Sequence, residues 1–280
     1  MILGLIAGGG IYPVHLAQRA RARGVKVVTA ALKSMTSPDM ENNSDAFLWV
    51  SLGELSKMLR FFRNEGVQGV ILAGNVDHAH ALGAKEKLKL MLDPRALKML
   101  ASLNNRRANT LLTAIIGEIE KDGMKVLPAF SYLEPDLLKP GPAGRLKPDA
   151  NQLKDIEGGF TSAKELARLD IGLTCCVRNG VVVAAEALEG TDECIRRAGE
   201  ILRRRGGGDK KSFTIVKVAR PGQDPRFDLP VLGVQTIKIA HDAGAVCLAA
   251  ESGWTLIMEK EKTLSLAERL GIAIYGISKD

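Results

Sequence analysis

The sequence predicts an α/β protein of two domains, an N-terminal Rossmann-like parallel sheet and a C-terminal mixed α/β domain. Three observations carry that prediction. Short apolar segments alternate with helical segments from the first residues on, the pattern of a mostly parallel sheet covered on both faces. The alternation stops at EPDLLKPGPAGRLKPD, residues 134–149, where four prolines and two glycines oppose regular structure, and then restarts. A chain of 280 residues is also long for one compact core. The expected division is residues 1–133 for the first domain, 134–149 as linker and 150–280 for a catalytic second domain.

In the first domain Ile2–Ala7 reads as a strand. Gly8-Gly9-Gly10 follows, and Pro13 suits the first turn of a helix running to about Arg23. Gly24 stops that helix; Val25–Ala30 and Phe47–Val50 are the next strands. Ser51 and Glu54 have capping-box spacing for a helix over Gly53–Asn64, where Leu55, Leu59 and Phe62 recur at helical period. Val67–Ala73 is a fourth strand, helices are expected over Lys85–Met91, Pro94–Leu103 and Thr110–Lys121, and Met124–Ala129 is a fifth strand. In the second domain Thr161–Arg168 is a helix. Gly172–Arg178 and Val181–Glu186 flank Asn179-Gly180, a two-residue hairpin signal. Thr191–Arg204 is a helix, GGGDKK a loop and Phe213–Val218 a strand. A helix over Gly233–Ala243, strands over Ala245–Ala249 and Thr255–Met258, a helix over Glu261–Leu270 and a strand over Ile272–Tyr275 complete the chain.

Charge narrows the partners. A net charge of +7 and a pI near 9.2 favour an anionic ligand or surface. Aromatics are only 4% and no basic segment interleaves them, which argues against nucleic acid. Cys175, Cys176, Cys194 and Cys247 form no CxxC and have no histidine at zinc spacing. Strand alternation sends Cys175 and Cys176 to opposite faces, so buried, reduced thiols of a cytoplasmic protein are expected. MILGLIAGGG lacks the basic start of a signal peptide, and no uncharged apolar run reaches roughly 18 residues.

Two glycine-rich strand ends carry candidate binding residues. Gly8, Gly9 and Gly10 lie between a strand and a helix, where backbone N–H groups and the positive helix end meet phosphates; a tight strand-to-helix turn explains them equally well. The triplet is not GxGxxG, and the second strand ends in Ala31-Leu32 without an acid to hold a ribose, so a nicotinamide dinucleotide is not expected. Asn75 in LAGNV ends a parallel strand, where open α/β sheets bind ligands, although shaping the turn is the simpler role. His78 and His80 two residues apart lack a third metal ligand, and a solvated loop is the simpler reading.

The second domain holds denser polar groups. In EALEGTD, residues 186–192, a cap accounts for Thr191 or Asp192 but leaves Glu186 and Glu189 unexplained. KVARPGQDPRFDLPVLG, residues 217–233, is the richest stretch. Lys217, Arg220 and Arg226 are interleaved with Asp224 and Asp228, stiffened by Pro221, Pro225 and Pro230. A rigid loop holds Asp228 and Arg226 in set positions. Carboxylates recruit Mg²⁺, which takes its remaining oxygens from water and substrate phosphates, and the nearby cations neutralise those phosphates.

GLIAGGGIYP, LAGNV, RLDIG (168–172), VAAEALEGTD (183–192) and KVARPGQDPRFDLPVLG together resemble, in order, the LpxI family of UDP-2,3-diacylglucosamine diphosphatases of lipid A synthesis. The resemblance runs along essentially the whole chain. It implies two α/β domains with the lipid product between them. It also implies a divalent cation, Mg²⁺ or Mn²⁺, and hydrolysis of the pyrophosphate to UMP and 2,3-diacylglucosamine 1-phosphate. The essential aspartate of the family carries over to Asp228. Family members have Gly-Asp-Asp before the helix near Thr110, where this chain reads Arg107-Ala108-Asn109.

On that basis the expected catalytic residues are Asp228, Arg226 and Lys217. Asp228, Asp224, Glu189 and Asp192 are the expected metal carboxylates, and Gly8, Gly9, Gly10, Asn75, Gln223 and Thr191 the substrate-binding residues. The expected partners are the lipid-linked UDP-sugar, the inner face of the inner membrane as a peripheral surface, and a second copy of the chain. A non-catalytic nucleotide- or lipid-binding protein of the same fold is the alternative.

Overall fold

The computed structural model describes residues 1–76, 92–103, 108–205, 212–227 and 229–278. They fold as two units. The first takes in Met1–Leu133 together with Pro225–Phe227, and the second takes in the rest of the chain.

The first unit is the expected parallel sheet. Strands β1 (Ile2–Ala7), β2 (Lys26–Leu32), β3 (Ala46–Val50), β4 (Gly69–Ala73) and β5 (Lys125–Val126) lie in the order β3-β2-β1-β4-β5, every pair parallel. This doubly wound order reverses between β1 and β4. Helices α1 (Tyr12–Ala22) and α2 (Asp39–Asn42) pack on the sheet. The core joining Val28, Ala30, Val50 and Val70 to Leu59 and Phe62 is covered by α3 (Leu55–Asn64), α4 (Pro94–Ala101) and α5 (Ala108–Lys121).

Local chemistry moved some ends. Helix α3 begins at Leu55, and only half of the expected capping box forms: the Ser51 N–H donates to Glu54 Oε2 at 2.7 Å. Asp93 does the capping, accepting from the N–H groups of both Ser56 and Ala96. Strand β5 is shorter than expected because Pro128 has no N–H to continue the ladder; Leu127 N–H makes the last bond, to Val70 O at 2.8 Å. The expected helix over residues 85–91, His78, His80, the GGGDKK loop and Asp228 lie outside the described residues.

The second unit is a mixed sheet of β6 (Gly141–Pro142), β7 (Thr174–Arg178), β8 (Val181–Ala185), β9 (Phe213–Lys217), β11 (Ala245–Glu251) and β13 (Ala273–Ile277), ordered β6-β13-β11-β9-β7-β8. Strands β9, β11 and β13 are parallel; β7 runs against β9 and β8, and β6 runs against β13. One face packs on α6 (Ala150–Arg168), the other on α7 (Thr191–Arg204), α8 (Val234–Ala243) and α9 (Lys260–Leu270). A separate parallel pair joins β10 (Val231–Leu232) to β12 (Leu256–Ile257). The β7–β8 hairpin turns on Asn179 and Gly180, both at positive φ, as the sequence predicts.

Residues 134–149, expected as a linker, are instead part of this unit. Leu138 is buried, its N–H donates to Thr255 O at 2.8 Å, and Gly141–Pro142 pairs at the sheet edge, where a proline costs no ladder bond. Helix α6 also starts earlier than Thr161, behind a capping box of Asp149 and Gln152. Its Gly159 looks like a breaker but is a contact point: a Cβ there would sit 2.7 Å from Val216 Cγ2.

All four cysteines are free and buried, with Cys176 and Cys194 in one core layer and Cys175 and Cys247 in the other. Burial raises the Cys175 and Cys247 thiols from 9.0 to about 11 and about 12. A thiol whose folded pKa is raised stabilises the fold fully below its unfolded value, and that contribution is lost as pH rises through the folded value. The melting temperature is therefore expected to fall between about pH 9 and pH 12. Native protein at pH 7.5 should resist iodoacetamide at all four positions; rapid native labelling would contradict the burial.

Candidate functional site

In open α/β sheets ligands bind beyond the carboxyl ends of the strands. In the first unit the relevant ends are those of β1 and β4, and the glycines there have a backbone role. The Gly8 N–H donates to Ala73 O at 2.8 Å, the Gly9 N–H to Asn75 O at 2.8 Å, and the Asn75 N–H returns to Gly9 O at 3.0 Å. Gly8 and Gly74 permit this approach: a Cβ on Gly8 would lie 2.6 Å from Asn75 O, and one on Gly74 2.5 Å from Gly9 O. Two of the three amides expected to meet a phosphate therefore already have carbonyl partners. Gly10 is exposed at φ +87°, just before α1, and the Asn75 side chain is exposed beside it. At the switch point Gly10, Asn75 and Ile11, just before α1, remain exposed.

The carboxyl edge of the second sheet is more polar. Lys217 ends β9, and its Nζ donates to Thr191 Oγ1 at 2.6 Å; Thr191 Oγ1 donates in turn to Glu186 Oε1 at 3.1 Å. Thr174, at the start of the antiparallel β7, lies 3.4 Å from the same hydroxyl, and Glu186 Oε2 accepts from the Leu173 N–H at 3.2 Å. Lys217, Thr191 and Glu186 are all half-buried. A strand end, a helix start and a hairpin exit thus converge on one ammonium group, next to the N–H groups that open α7. That combination suits a phosphate.

Neighbouring residues have other partners. Glu189 pairs with Arg197 and accepts from the Ala187 N–H; its own backbone N–H, with Arg197, holds its carboxyl below the ordinary value. Asp192 lies in the first turn of α7. Past Lys217 the chain makes a tight turn on Pro221 and Gly222. The Gln223 N–H donates to Arg220 O at 3.1 Å, and the Arg220 N–H to Gln223 Oε1 at 2.6 Å. Gln223 is buried and so braces this turn from inside, while Arg220 pairs with Asp170 at 2.9 Å and Asp224 is half-buried. Proline at the second and glycine at the third position, the latter at φ +69°, is type II turn chemistry.

Matches to known proteins cover both units. Residues 2–135 match the LpxI N-terminal domain, and residues 139–275 match the LpxI C-terminal domain. The chain belongs to the LpxI family. It is 34% identical over 279 residues to the UDP-2,3-diacylglucosamine pyrophosphatase LpxI of Caulobacter vibrioides, an alignment covering 98% of this chain and 97% of that protein.

The remaining expected residues of this family member fall in several places. Arg226 packs with the first unit, its Nη1 3.1 Å from Glu120 Oε1. Asp228 and Arg107 lie outside the described residues, and Ala108 and Asn109 open α5. Carboxylates are the right donors for a hard cation. Among the described residues, however, no three His, Cys, Asp or Glu side chains converge as a metal-holding group. No described helix is long and apolar enough to cross a membrane. Sequence reading passed over two residues at this edge, Lys164 and Glu251, each of which is unremarkable in its local stretch.

Proposed function

We propose that the chain hydrolyses the pyrophosphate of UDP-2,3-diacylglucosamine, giving UMP and 2,3-diacylglucosamine 1-phosphate. The observation that carries this reading is the Lys217 ammonium, braced by Thr191 and Glu186 at the carboxyl edge of the second sheet, in a chain matched to LpxI along its length. Lys217 clamps a phosphate of the substrate, and the start of α7 adds N–H donors for its oxygens. Arg226 is the second cationic clamp. Water attacks the phosphorus that stays with the sugar; the new P–O bond forms as the bridging oxygen leaves with UMP. Asp228 activates or orients that water, Gln223 braces the loop from inside while Asp224 lines it, and Gly10 and Asn75 offer a second polar surface. The Gly8 and Gly9 side of that turn supports it through the backbone.

A divalent cation, Mg²⁺ or Mn²⁺, is part of the proposal, with Asp228 as its principal ligand and no more than two of Asp224, Asp192 and Glu189 beside it, since those three do not converge as a group. When bound, it lowers the pKa of a coordinated water and offsets phosphoryl charge. The lipid-linked substrate places the work at the inner membrane surface, where a net charge of +7 favours contact with anionic headgroups.

A binder without catalysis is the second reading, favoured by Arg107-Ala108-Asn109 in place of the family's acidic pair. Incubation with UDP-2,3-diacylglucosamine and Mg²⁺ decides between them. Equimolar UMP and sugar 1-phosphate are expected, suppressed by EDTA, with ¹⁸O from labelled water on the sugar phosphate. UMP no higher than in a protein-free control would establish the binder, and turnover undiminished by EDTA would remove the cation.

A further inference from the structure

We infer that Glu251 and Lys164 are positioning residues for the hydrolysis proposed above, holding the turn that leads from Lys217 to Asp224. The inference rests on that functional reading for its consequence, and on hydrogen bonds for its geometry. Glu251 is the last residue of β11 and is fully buried. A carboxylate in that setting is costly unless it is paired and hydrogen-bonded. Its Oε2 accepts from Lys164 Nζ at 2.8 Å and from the Ala219 N–H at 2.9 Å, and Lys164 Nζ also donates to Ala219 O at 3.0 Å. One ion pair, drawn from α6 and β11, therefore grips both main-chain polar groups of a single residue.

Ala219 stands two residues past Lys217 and immediately before the Arg220–Gln223 turn. The Val218 N–H is fixed to Leu173 O at 2.9 Å, so the chain is tied down at Val218, Ala219, Arg220 and Gln223 in turn. Stability alone does not account for a buried charge here, because a well-packed apolar pair in such a place is often neutral or stabilising. The grip sits at the sheet edge where ligands bind and acts on the segment carrying the candidate site residues. Exact placement of such groups governs rate: a shift of about 1 Å costs on the order of 100-fold.

The test uses Glu251→Ala, Glu251→Gln and Lys164→Met in the full chain, with steady-state kinetics, thermal melting and hydrogen exchange. Glu251→Ala is expected to lower kcat about 100-fold with KM little changed, and to lose amide protection in peptides over residues 218–224 while β9 keeps its protection. Glu251→Gln retains an acceptor for the Ala219 N–H and should restore most of both. If Glu251→Ala fails to fold, Lys164→Met is expected to show the same kcat loss and local exchange in milder form. Native exchange over 218–224 in these variants would overturn the inference, as would a Glu251→Gln enzyme no better than Glu251→Ala. A wild-type chain that releases no UMP would instead refute the reaction, leaving the exchange measurements to decide the positioning.

Discussion

Asp228→Ala is expected to lower the turnover of UDP-2,3-diacylglucosamine about 10³-fold, the range for removing a positioned acid–base group. The fold should survive, because the chain is anchored on both sides of this position. Phe227 packs against the core that includes α5, and Pro230 is buried with its carbonyl accepting from the Leu256 N–H at 3.0 Å. Substrate should still bind, since the proposed phosphate clamps are untouched. The measurement is UMP release under single-turnover conditions, paired with binding of the diacyl sugar nucleotide. Turnover within threefold of wild type would mean that the reacting centre lies elsewhere.

Lys217→Met is expected to lower kcat/KM about 100-fold, the loss typical when one preorganised donor to developing phosphoryl charge is removed. Methionine matches the length of the lysine stem and leaves the pairing of β9 with β7 and β11 intact. What disappears is the ammonium group that Thr191 and Glu186 hold in place. Steady-state kinetics across a salt series gives the check. The wild type should lose affinity as ionic strength rises, and the variant should show a flatter dependence because one phosphate contact is gone. Equal kinetics and equal salt dependence would remove Lys217 from the site.

The sequence made local features visible and hid those that depend on distant partners. The Asn179-Gly180 hairpin was legible because its conformation is set by two adjacent residues. Lys217, Thr191 and Glu186 could be singled out because each stands in a conspicuous polar stretch, but their hydrogen-bonded chain required the sheet order. Lys164 and Glu251 were illegible: 87 positions separate them, and each sits in an ordinary amphipathic or apolar segment. The first half of α6 was not read as helix; it holds Gly158-Gly159, and Gly159 is there to admit Val216. The proline-rich stretch at 134–149 misled for the opposite reason, since its Pro142 stands on an edge strand, where it has no ladder bond to lose.

Pro225–Phe227 completes the first unit from far along the chain: the Ala129 N–H donates to Pro225 O at 2.7 Å, Arg226 meets Glu120 and Phe227 joins the apolar core. On a ribosome, which delivers the N-terminus first, residues 1–133 emerge roughly ninety codons before the three residues that cap them. Until those residues arrive, the Ala129 N–H and the apolar surface on which Phe227 packs stay open to water. Final maturation of the earliest-made half must therefore wait for the later half, and a gene truncated after residue 133 encodes a piece lacking its own keystone.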